Sequence, residues 1–395
     1  MAAEAIDWSI AQRIGELIAG SGGRAQYGGV PADLRSVESI ESLARDFAER
    51  VSDYTGLELP AQLPALEVVD RPAWIAANLK TMRPLLDPLT QRIGNDSGGG
   101  IDGLLSGPLR TASGYLLGAQ VGALTGVLSQ RVLGQYDLAL LDASVPPRLL
   151  LLGPNLAQAA RDLGVDRDEL VEWVTIHEVT HAVQFSGAPW LRDHLGGMLR
   201  ELIDGLQVTL AGRSASEQND GGTARGGRRG GWIPNLNLGG LTGGRGAGQG
   251  LNPSDLRGLL ERARRGELLR LTLGDERWRL VERMQATMSL VEGHAEHTMD
   301  AVGAEVLPSL PRLRAAMNRR RERSKIGPRG LPWRVLERLL GLELKLKQYE
   351  VGKRFCDAVV QAQGPPALTR AWSGPEMLPS MAELETPELW LARTG

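Results

Sequence analysis

Residues 173–185, "WVTIHEVTHAVQF", contain two histidines four positions apart and a glutamate directly after the first. On an α-helix such positions lie on one face, about 6 Å apart along the axis, so His177 and His181 can bind one metal ion together. Zn²⁺ accepts imidazole nitrogens at about 2.0–2.1 Å, and Glu178 then lies beside the open coordination position as a general base. The alternative is a chance pair of packed histidines, although burying such a pair without partners would be costly. The stretch therefore predicts half of a zinc site.

Composition restricts what can complete this site. The 395 residues are 42% hydrophobic, enough for a sizeable core, and the net charge of -2 argues against a general attraction to nucleic acid or anionic membranes. Cys356 is the only cysteine, so any metal site must use histidines and carboxylates. Glu4 and Asp7 stand where a secretory signal requires positive charge, which favours a cytoplasmic protein.

The elements around the motif can be predicted from local signals. Asp166 followed by Glu169 indicates the start of the motif helix, and Gly187 with Pro189 indicates its end. Helices are predicted over 37–54, 70–89 and 154–164, and a hairpin or two adjacent strands over 136–142 and 147–153. The strand near 148–152 is a candidate for pairing with an extended peptide substrate.

Residues 111–130, "TASGYLLGAQVGALTGVLSQ", contain no charged residue and are long enough to suggest a membrane span. Six of the twenty residues are Thr, Ser or Gln, and glycines recur at 114, 118, 122 and 126. Such a ridge lets another backbone approach closely, so we expect a buried, tightly packed helix and no stable membrane insertion. The same spacing also occurs in membrane helix dimers, which keeps a span as the alternative.

The third ligand must come from elsewhere in the chain. A short-spaced His-Gly-His completion would need Gly and His where the chain has Gln184 and Gly187, and His194 lies beyond the predicted helix end. A better candidate is "MSLVEGHAEHTMD", residues 288–300, where two glutamates one turn apart share a helix face. This stretch therefore supplies the candidate completion.

Residues 288–300 resemble the second ligand helix of gluzincins, which carries an Asn-Glu-Gly-Phe-Ala-Glu-Tyr-like run in the aminopeptidase branch. That resemblance implies that Glu292 is the third zinc ligand, while His294 and His297 replace the aromatic positions of the pattern. Glu292 lies 111 residues after His181, much farther than in compact gluzincins. A flexible insertion can absorb this distance, because the entropy of loop closure grows only logarithmically with length.

More closely, the chain resembles an actinobacterial zincin-like family of zinc-dependent metallopeptidases or hydrolases associated with deazaflavin-coenzyme biosynthesis. The resembling stretches include "GPNLAQAARDLGVDRDELVEWVTIHEVTHAVQFSGAPWL", "SLVEGHAEHTMD" and "GLELKLKQYEVGKRFCDAVV", and they extend over nearly the whole chain apart from a glycine-rich insertion. The resemblance implies hydrolysis of a peptide or amide substrate by zinc-activated water, with Glu178 as general base.

The expected fold class is α+β and predominantly α-helical, with a small β-sheet in a zincin-like core that is embedded in a helical shell. We predict four regions: an N-terminal helical region, the first half of the core with the motif helix, an insertion, and the second ligand helix followed by a C-terminal helical region. Their predicted boundaries are 1–95, 96–200, 201–275 and 276–395. Within the insertion, residues 211–253 are rich in glycine and are expected to be disordered.

Four further residues are candidates for supporting roles. Glu296 could accept the second ring N–H of His177 or His181 and fix its tautomer, or it could be a solvated helix residue. His294 could line the pocket, replace Glu292 as a ligand, or lie on the surface. Tyr349 or Tyr136 could donate a hydrogen bond to the developing oxyanion, although either could be an ordinary packed tyrosine.

Two other functions compete with hydrolysis. A catalytically silent zincin-fold scaffold could keep zinc for structure or bind a partner protein. The basic run at 319–329 could contact nucleic acid, but Glu322 interrupts it and no stacking aromatics are interleaved, so we expect no nucleic-acid binding. The sequence leaves the oligomeric state and the identity of the substrate open.

Overall fold

The computed structural model describes residues 6–20, 35–93, 102–219, 274–326 and 342–395. The chain is predominantly α-helical with one small sheet, which confirms the predicted fold class. The helices are α1 Trp8–Gly20, α2 Val37–Thr55, α3 Arg71–Ile93, α4 Asp102–Ser129, α5 Gly153–Leu163, α6 Arg167–Gly187, α7 Trp190–Asn219, α8 Asp275–Val306, α9 Leu310–Ile326, α10 Leu342–Gln363, α11 Pro366–Thr369, α12 Met381–Glu385 and α13 Pro387–Thr394. The strands are β1 Ala65–Val69, β2 Gly134–Asp137 and β3 Arg148–Leu152.

The three-stranded sheet has the order β1-β3-β2. Strand β1 runs parallel to β3, whereas β2 runs antiparallel to it, with Gly134 opposite Leu151. Because β3 is the central strand, both of its edges are already hydrogen-bonded, and the prediction that this strand pairs with a substrate peptide is wrong. Among the described residues, the two sheet edges that no other strand covers belong to β1 and β2. The predicted strand at 136–142 is also displaced, since β2 ends at Asp137.

Helix α6 begins and ends where the sequence predicted. The Asp166 side chain accepts a hydrogen bond from the Glu169 amide and so satisfies one of the free N–H groups of the first turn. The helix ends at Gly187, where the Ala188 N–H bonds to the Gln184 carbonyl. The motif therefore lies in the second half of a helix of 21 residues, most of them buried.

As predicted, another helix backbone approaches the glycine ridge of α4 closely, and the structure shows that this helix is α1. A Cβ at Gly118 would overlap the Asp7 carbonyl, and one at Gly122 would overlap the Ala11 carbonyl, so the two helix backbones can touch only because these positions lack side chains. Within the described ranges, α4 and the other helices are too short or too polar to cross a membrane.

The sheet separates two hydrophobic clusters. Leu149 and Leu151 face the larger cluster, which contains side chains of α2, α6, α8 and α10, whereas Leu150 and Leu152 face α1 and α3. Strand β3 is apolar on both faces for this reason. The larger cluster joins residues from the predicted N-terminal, motif and C-terminal regions, whose boundaries stay predictions.

The predicted disordered stretch, 211–253, lies outside the described residues from position 220 onward, and α7 extends to Asn219.

Candidate metal centre

His177, His181 and Glu292 converge at the contact between α6 and α8. The Nε2 atoms of the two histidines lie 3.3 Å apart. Glu292 Oε2 lies 3.7 Å from His177 Nε2 and 3.6 Å from His181 Nε2. With these separations a single point lies about 2 Å from all three atoms, which is the distance at which zinc binds imidazole and carboxylate ligands. Among the described residues, these three form the group of side chains placed to hold a metal ion.

The close approach of α8 to α10 holds Glu292 in place. A Cβ at Gly293 would overlap the backbone of Gly352, and a Cβ at Gly352 would overlap the Ser289 carbonyl. The two helix backbones therefore touch beside the third ligand, as only glycine permits. Gly293 belongs to the quoted ligand stretch, whereas no local pattern in the sequence identifies Gly352 as its partner.

Glu292 has the features expected of a metal ligand. Its Oε2 atom is buried and makes no hydrogen bond, although it faces two imidazole nitrogens. Burial raises the pKa of this carboxyl, but His177 and His181 outweigh burial and hold the pKa well below its usual value. Buried polar atoms are nearly always paired, so an unpaired carboxylate oxygen at this position fits a divalent cation.

Glu178 lies between the ligands and the edge strand β2. Its side chain is buried, and burial raises the pKa of the carboxyl above its usual value. The backbone N–H of Tyr136 donates a hydrogen bond to this carboxylate. A Cβ at Gly134 would lie 2.7 Å from Glu178 Oε1, so the absence of a side chain at this position leaves room for the carboxylate. Glu178 thus lies beside the ligands as predicted, and Gly134 is a contributor that sequence reasoning missed.

Gln184, which the sequence analysis did not consider as a functional residue, contacts His181. His181 Nδ1 lies 2.8 Å from Gln184 Oε1, and Gln184 Nε2 lies 2.9 Å from His294 Nδ1. Gln184 therefore occupies at His181 the role that was predicted for Glu296. Its spacing three residues after His181 on a helix is the signal that could have identified it.

His294 is buried, and it does not belong to the group of side chains placed to hold a metal ion. Its ring packs edge-on against Trp372 at 5.0 Å, and its Nδ1 bonds to Gln184. Burial is the main cause that lowers the pKa of His294 to about 3, so the ring is neutral. The suggestions that His294 is a surface residue or a substitute ligand are therefore wrong, and it supports Gln184 from behind.

Glu296 is buried but belongs to a group of charged side chains on α8 and α9. Its Oε2 lies 3.1 Å from Arg314 Nη1, and Arg314 also pairs with Asp300. His297 bonds through Nδ1 to Asp357 Oδ1 at 2.7 Å and through Nε2 to the Tyr54 hydroxyl at 2.7 Å. These contacts connect α2, α8, α9 and α10 behind the metal centre.

The remaining candidates are Tyr136, Tyr349 and His194, and of these Tyr136 packs near a ligand. Tyr136 packs near His181, with ring centroids 6.5 Å apart, and burial raises the pKa of its phenol to about 12. The side chain of Tyr349 lies outside the described residues, as do those of the basic run from position 320 onward. His194 packs against Trp190 on α7 and does not join the ligand group.

Comparison with known proteins bears on the chain as a whole. No curated protein matches the chain. A crystal structure described as that of "a putative hydrolase with a novel fold" from Chloroflexus aurantiacus is similar to it, with 29% sequence identity, a TM-score of 0.61 and 98% of each chain covered. The profile of the family described as "Zincin-like metallopeptidase" matches residues 6–391. Since this match includes nearly the whole chain, the protein belongs to the zincin-like metallopeptidase family.

Proposed function

We propose that this protein is a zinc-dependent hydrolase of peptide or amide bonds. The observation that carries the proposal is the convergence of His177, His181 and Glu292 within reach of one ion, with a buried carboxylate beside them. Membership of the zincin-like metallopeptidase family and similarity to a structure described as a hydrolase support the same reaction class. The association with deazaflavin-coenzyme biosynthesis and the cytoplasmic location stay predictions.

The donor set fits a catalytic zinc ion. Two imidazole nitrogens and one carboxylate oxygen are a common set of three protein ligands, which leaves one coordination position for water or substrate. When bound, zinc supplies Lewis acidity that polarises the carbonyl group and acidifies water. The His181 Nδ1 bond to Gln184 Oε1 leaves the Nε2 lone pair free to face the ion.

Glu178 is the proposed general base. Its carboxylate accepts a proton from the attacking water at one oxygen and then donates it to the nitrogen of the leaving amine. Burial raises the pKa of this carboxyl, so it holds the proton more readily than an exposed glutamate would. The Tyr136 amide and the space at Gly134 keep the carboxylate beside the ligands.

The free edge of β2 is the proposed binding place for an extended substrate. This strand passes over α6, with Gly134 against Glu178 and Tyr136 near His181. The Tyr136 N–H of this edge already bonds to Glu178, so a peptide lying along β2 would use the other backbone groups of the edge and bring its carbonyls close to the ligands. Tyr136 is the proposed oxyanion donor, because a phenol with a raised pKa keeps its proton near neutral pH.

Replacement of Glu178 by Gln tests the proposal. A mixture of peptides is incubated with the zinc-loaded protein, and new termini are detected by mass spectrometry. We expect the wild type to cut some of the peptides and the Glu178→Gln protein to keep zinc and lose about 10²-fold or more of the rate. The matched control is Glu172→Gln, which changes a glutamate of the same helix that pairs with Arg35 at 2.6 Å, and it should stay active.

Two results would contradict the proposed function. Undiminished cleavage by the Glu178→Gln protein would contradict the role of Glu178 as the general base. Stoichiometric zinc in a wild-type protein that cuts no peptide or amide substrate would favour the alternative, a catalytically silent zincin-fold scaffold.

A further inference from the structure

We infer that Gln184 is a positioning residue that fixes the tautomer of one metal ligand and joins the two ligand helices to each other. This inference rests on the proposed metal site but concerns residues that do not touch the ion. Gln184 lies in the last turn of α6, is fully buried, and uses its amide oxygen and its amide nitrogen for different partners.

The orientation of the Gln184 amide follows from one of those partners. Its Nε2 atom lies 2.9 Å from the Val291 carbonyl oxygen, which can only accept a hydrogen bond. Turning the amide over would bring two oxygen atoms together in a buried place, so the nitrogen must face Val291. The other end of the amide, which faces His181, is therefore the oxygen atom.

The tautomer of His181 follows in turn. Because Gln184 Oε1 is an acceptor, the His181 Nδ1 atom at 2.8 Å must carry a proton and donate it. Whenever the ring is neutral, its lone pair is then on Nε2, the atom that faces His177 Nε2 and Glu292 Oε2. Gln184 thus prepares His181 to bind a metal ion before the ion arrives.

The same amide joins the two ligand helices. Val291 directly precedes the ligand Glu292 on α8, and Gln184 lies on α6 with the ligands His177 and His181. The bond from Gln184 Nε2 to the Val291 carbonyl therefore connects the two helices next to the ligands. The second proton of Gln184 Nε2 points to His294 Nδ1 at 2.9 Å, and because an amide N–H can only donate, that ring nitrogen is the acceptor. Trp372 packs against that ring and completes the buried support.

The first test uses the metal-free wild-type protein and needs no variant. Nitrogen NMR of the His181 ring reports which nitrogen carries the proton. The spectrum is recorded at a pH high enough for the ring to be neutral. We expect the Nδ1–H form, and a predominant Nε2–H form would overturn the inference even if the protein binds zinc and hydrolyses substrates.

The second test measures zinc affinity by competition with a chelator. Gln184→Leu removes all three hydrogen bonds of the amide but keeps a side chain of similar size. We expect zinc to bind about 10- to 100-fold more weakly, as when other metal ligands lose their hydrogen-bond partner. Gln184→Glu keeps an acceptor for His181 but places an oxygen against the Val291 carbonyl, so we expect a smaller loss of affinity than in Gln184→Leu. The control is Thr175→Val, which removes a buried hydrogen bond to the Val171 carbonyl of the same helix and should leave affinity unchanged.

The outcomes separate this inference from the proposed function. Zinc affinity within twofold of the wild type in the folded Gln184 variants would overturn the inference and leave the metal site intact. A wild-type protein that binds no zinc would contradict the proposed function, while the tautomer measurement in the metal-free protein would still decide the role of Gln184.

Discussion

The site depends on individual atoms that face each other across two helices. Glu292 contributes an oxygen atom that has no hydrogen bond, and His181 contributes a nitrogen atom whose lone pair is set by Gln184. Glu178 is held beside them by a backbone amide and by the space at Gly134. Such placement matters because a misplacement of about 1 Å can cost on the order of 10²-fold in rate.

Gly134→Ala adds a single methyl group and tests whether the position of Glu178 against β2 matters. The new Cβ would lie 2.7 Å from both Glu178 Oε1 and Val174 Cγ1, so the carboxylate must move away from β2. We expect kcat/KM to fall by about 10²-fold while zinc binding is kept, because the ligands themselves do not move. The measurement is steady-state hydrolysis together with metal content. Gly197→Ala, where nothing lies within 4 Å of a new Cβ, is the control. A fully active Gly134→Ala protein would show that the position of Glu178 against β2 does not matter.

Most of the candidate ligands could be predicted from the sequence, because their signals are local. The spacing of His177 and His181 and the cap at Asp166 each depend on a few neighbouring residues. Glu292 required a resemblance to a known helix pattern, since nothing local connects residues 111 positions apart. Gln184 was not predicted because the hydrogen-bond partners of its amide nitrogen, Val291 and His294, are its neighbours only after folding.

At the scale of elements, the glycine contacts decide where helices can cross. The ridge on α4 was predicted because four glycines recur at a regular spacing within one helix. The contact between Gly293 and Gly352 was not, because each glycine stands alone in its helix. The free strand edge was also assigned to the wrong strand, because the strand over 65–69, which covers β3, was not predicted.

Gly352→Ala tests the role of the crossing between α8 and α10. The added methyl group would overlap the Ser289 carbonyl, so the helices must separate beside Glu292. We expect the free energy of unfolding to fall by about 1–3 kcal/mol, as for overpacked cores, and zinc affinity to fall with it. Urea unfolding and chelator competition measure the two effects.

The matched control for this substitution is Gly303→Ala. It lies on the same helix α8, and its new Cβ would have only ordinary contacts with Leu310 and Leu307, the nearest at 3.4 Å. Replacing a helical glycine with alanine there should be neutral or stabilise by up to about 1 kcal/mol. Equal changes in the free energy of unfolding and in zinc affinity for Gly352→Ala and Gly303→Ala would contradict the close crossing of α8 and α10.

At the scale of the whole molecule, polar contacts behind the site connect distant parts of the chain. Asp357 on α10 bonds to His297 on α8, which in turn accepts from Tyr54 on α2. Burial raises the pKa of Asp357, but the hydrogen bonds from His297 and Lys353 outweigh it and leave the pKa below its usual value. A carboxylate with a lowered pKa stabilises the fold above its unfolded pKa, and this contribution disappears as pH falls through its folded pKa.

Asp357→Asn should therefore destabilise the protein near neutral pH and have a smaller effect in acid. We expect the difference in the free energy of unfolding between the metal-free wild type and the variant to narrow between about pH 6 and about pH 3. Urea unfolding across this range measures it. Asp46→Asn, at an exposed position of α2, controls for the change in net charge. A difference that widens in acid would contradict the assignment of these hydrogen bonds.

The central claim is that residues from two distant parts of the chain form one zinc site. Elemental analysis of the purified wild type, Glu292→Gln and Glu305→Gln proteins tests it most directly, since Glu305 is an exposed glutamate of the same helix. The account predicts about one zinc per chain in the wild type and in Glu305→Gln, with most of the zinc lost from Glu292→Gln after dialysis against a chelator. Full retention of zinc by Glu292→Gln, or a wild type that binds none, would contradict it.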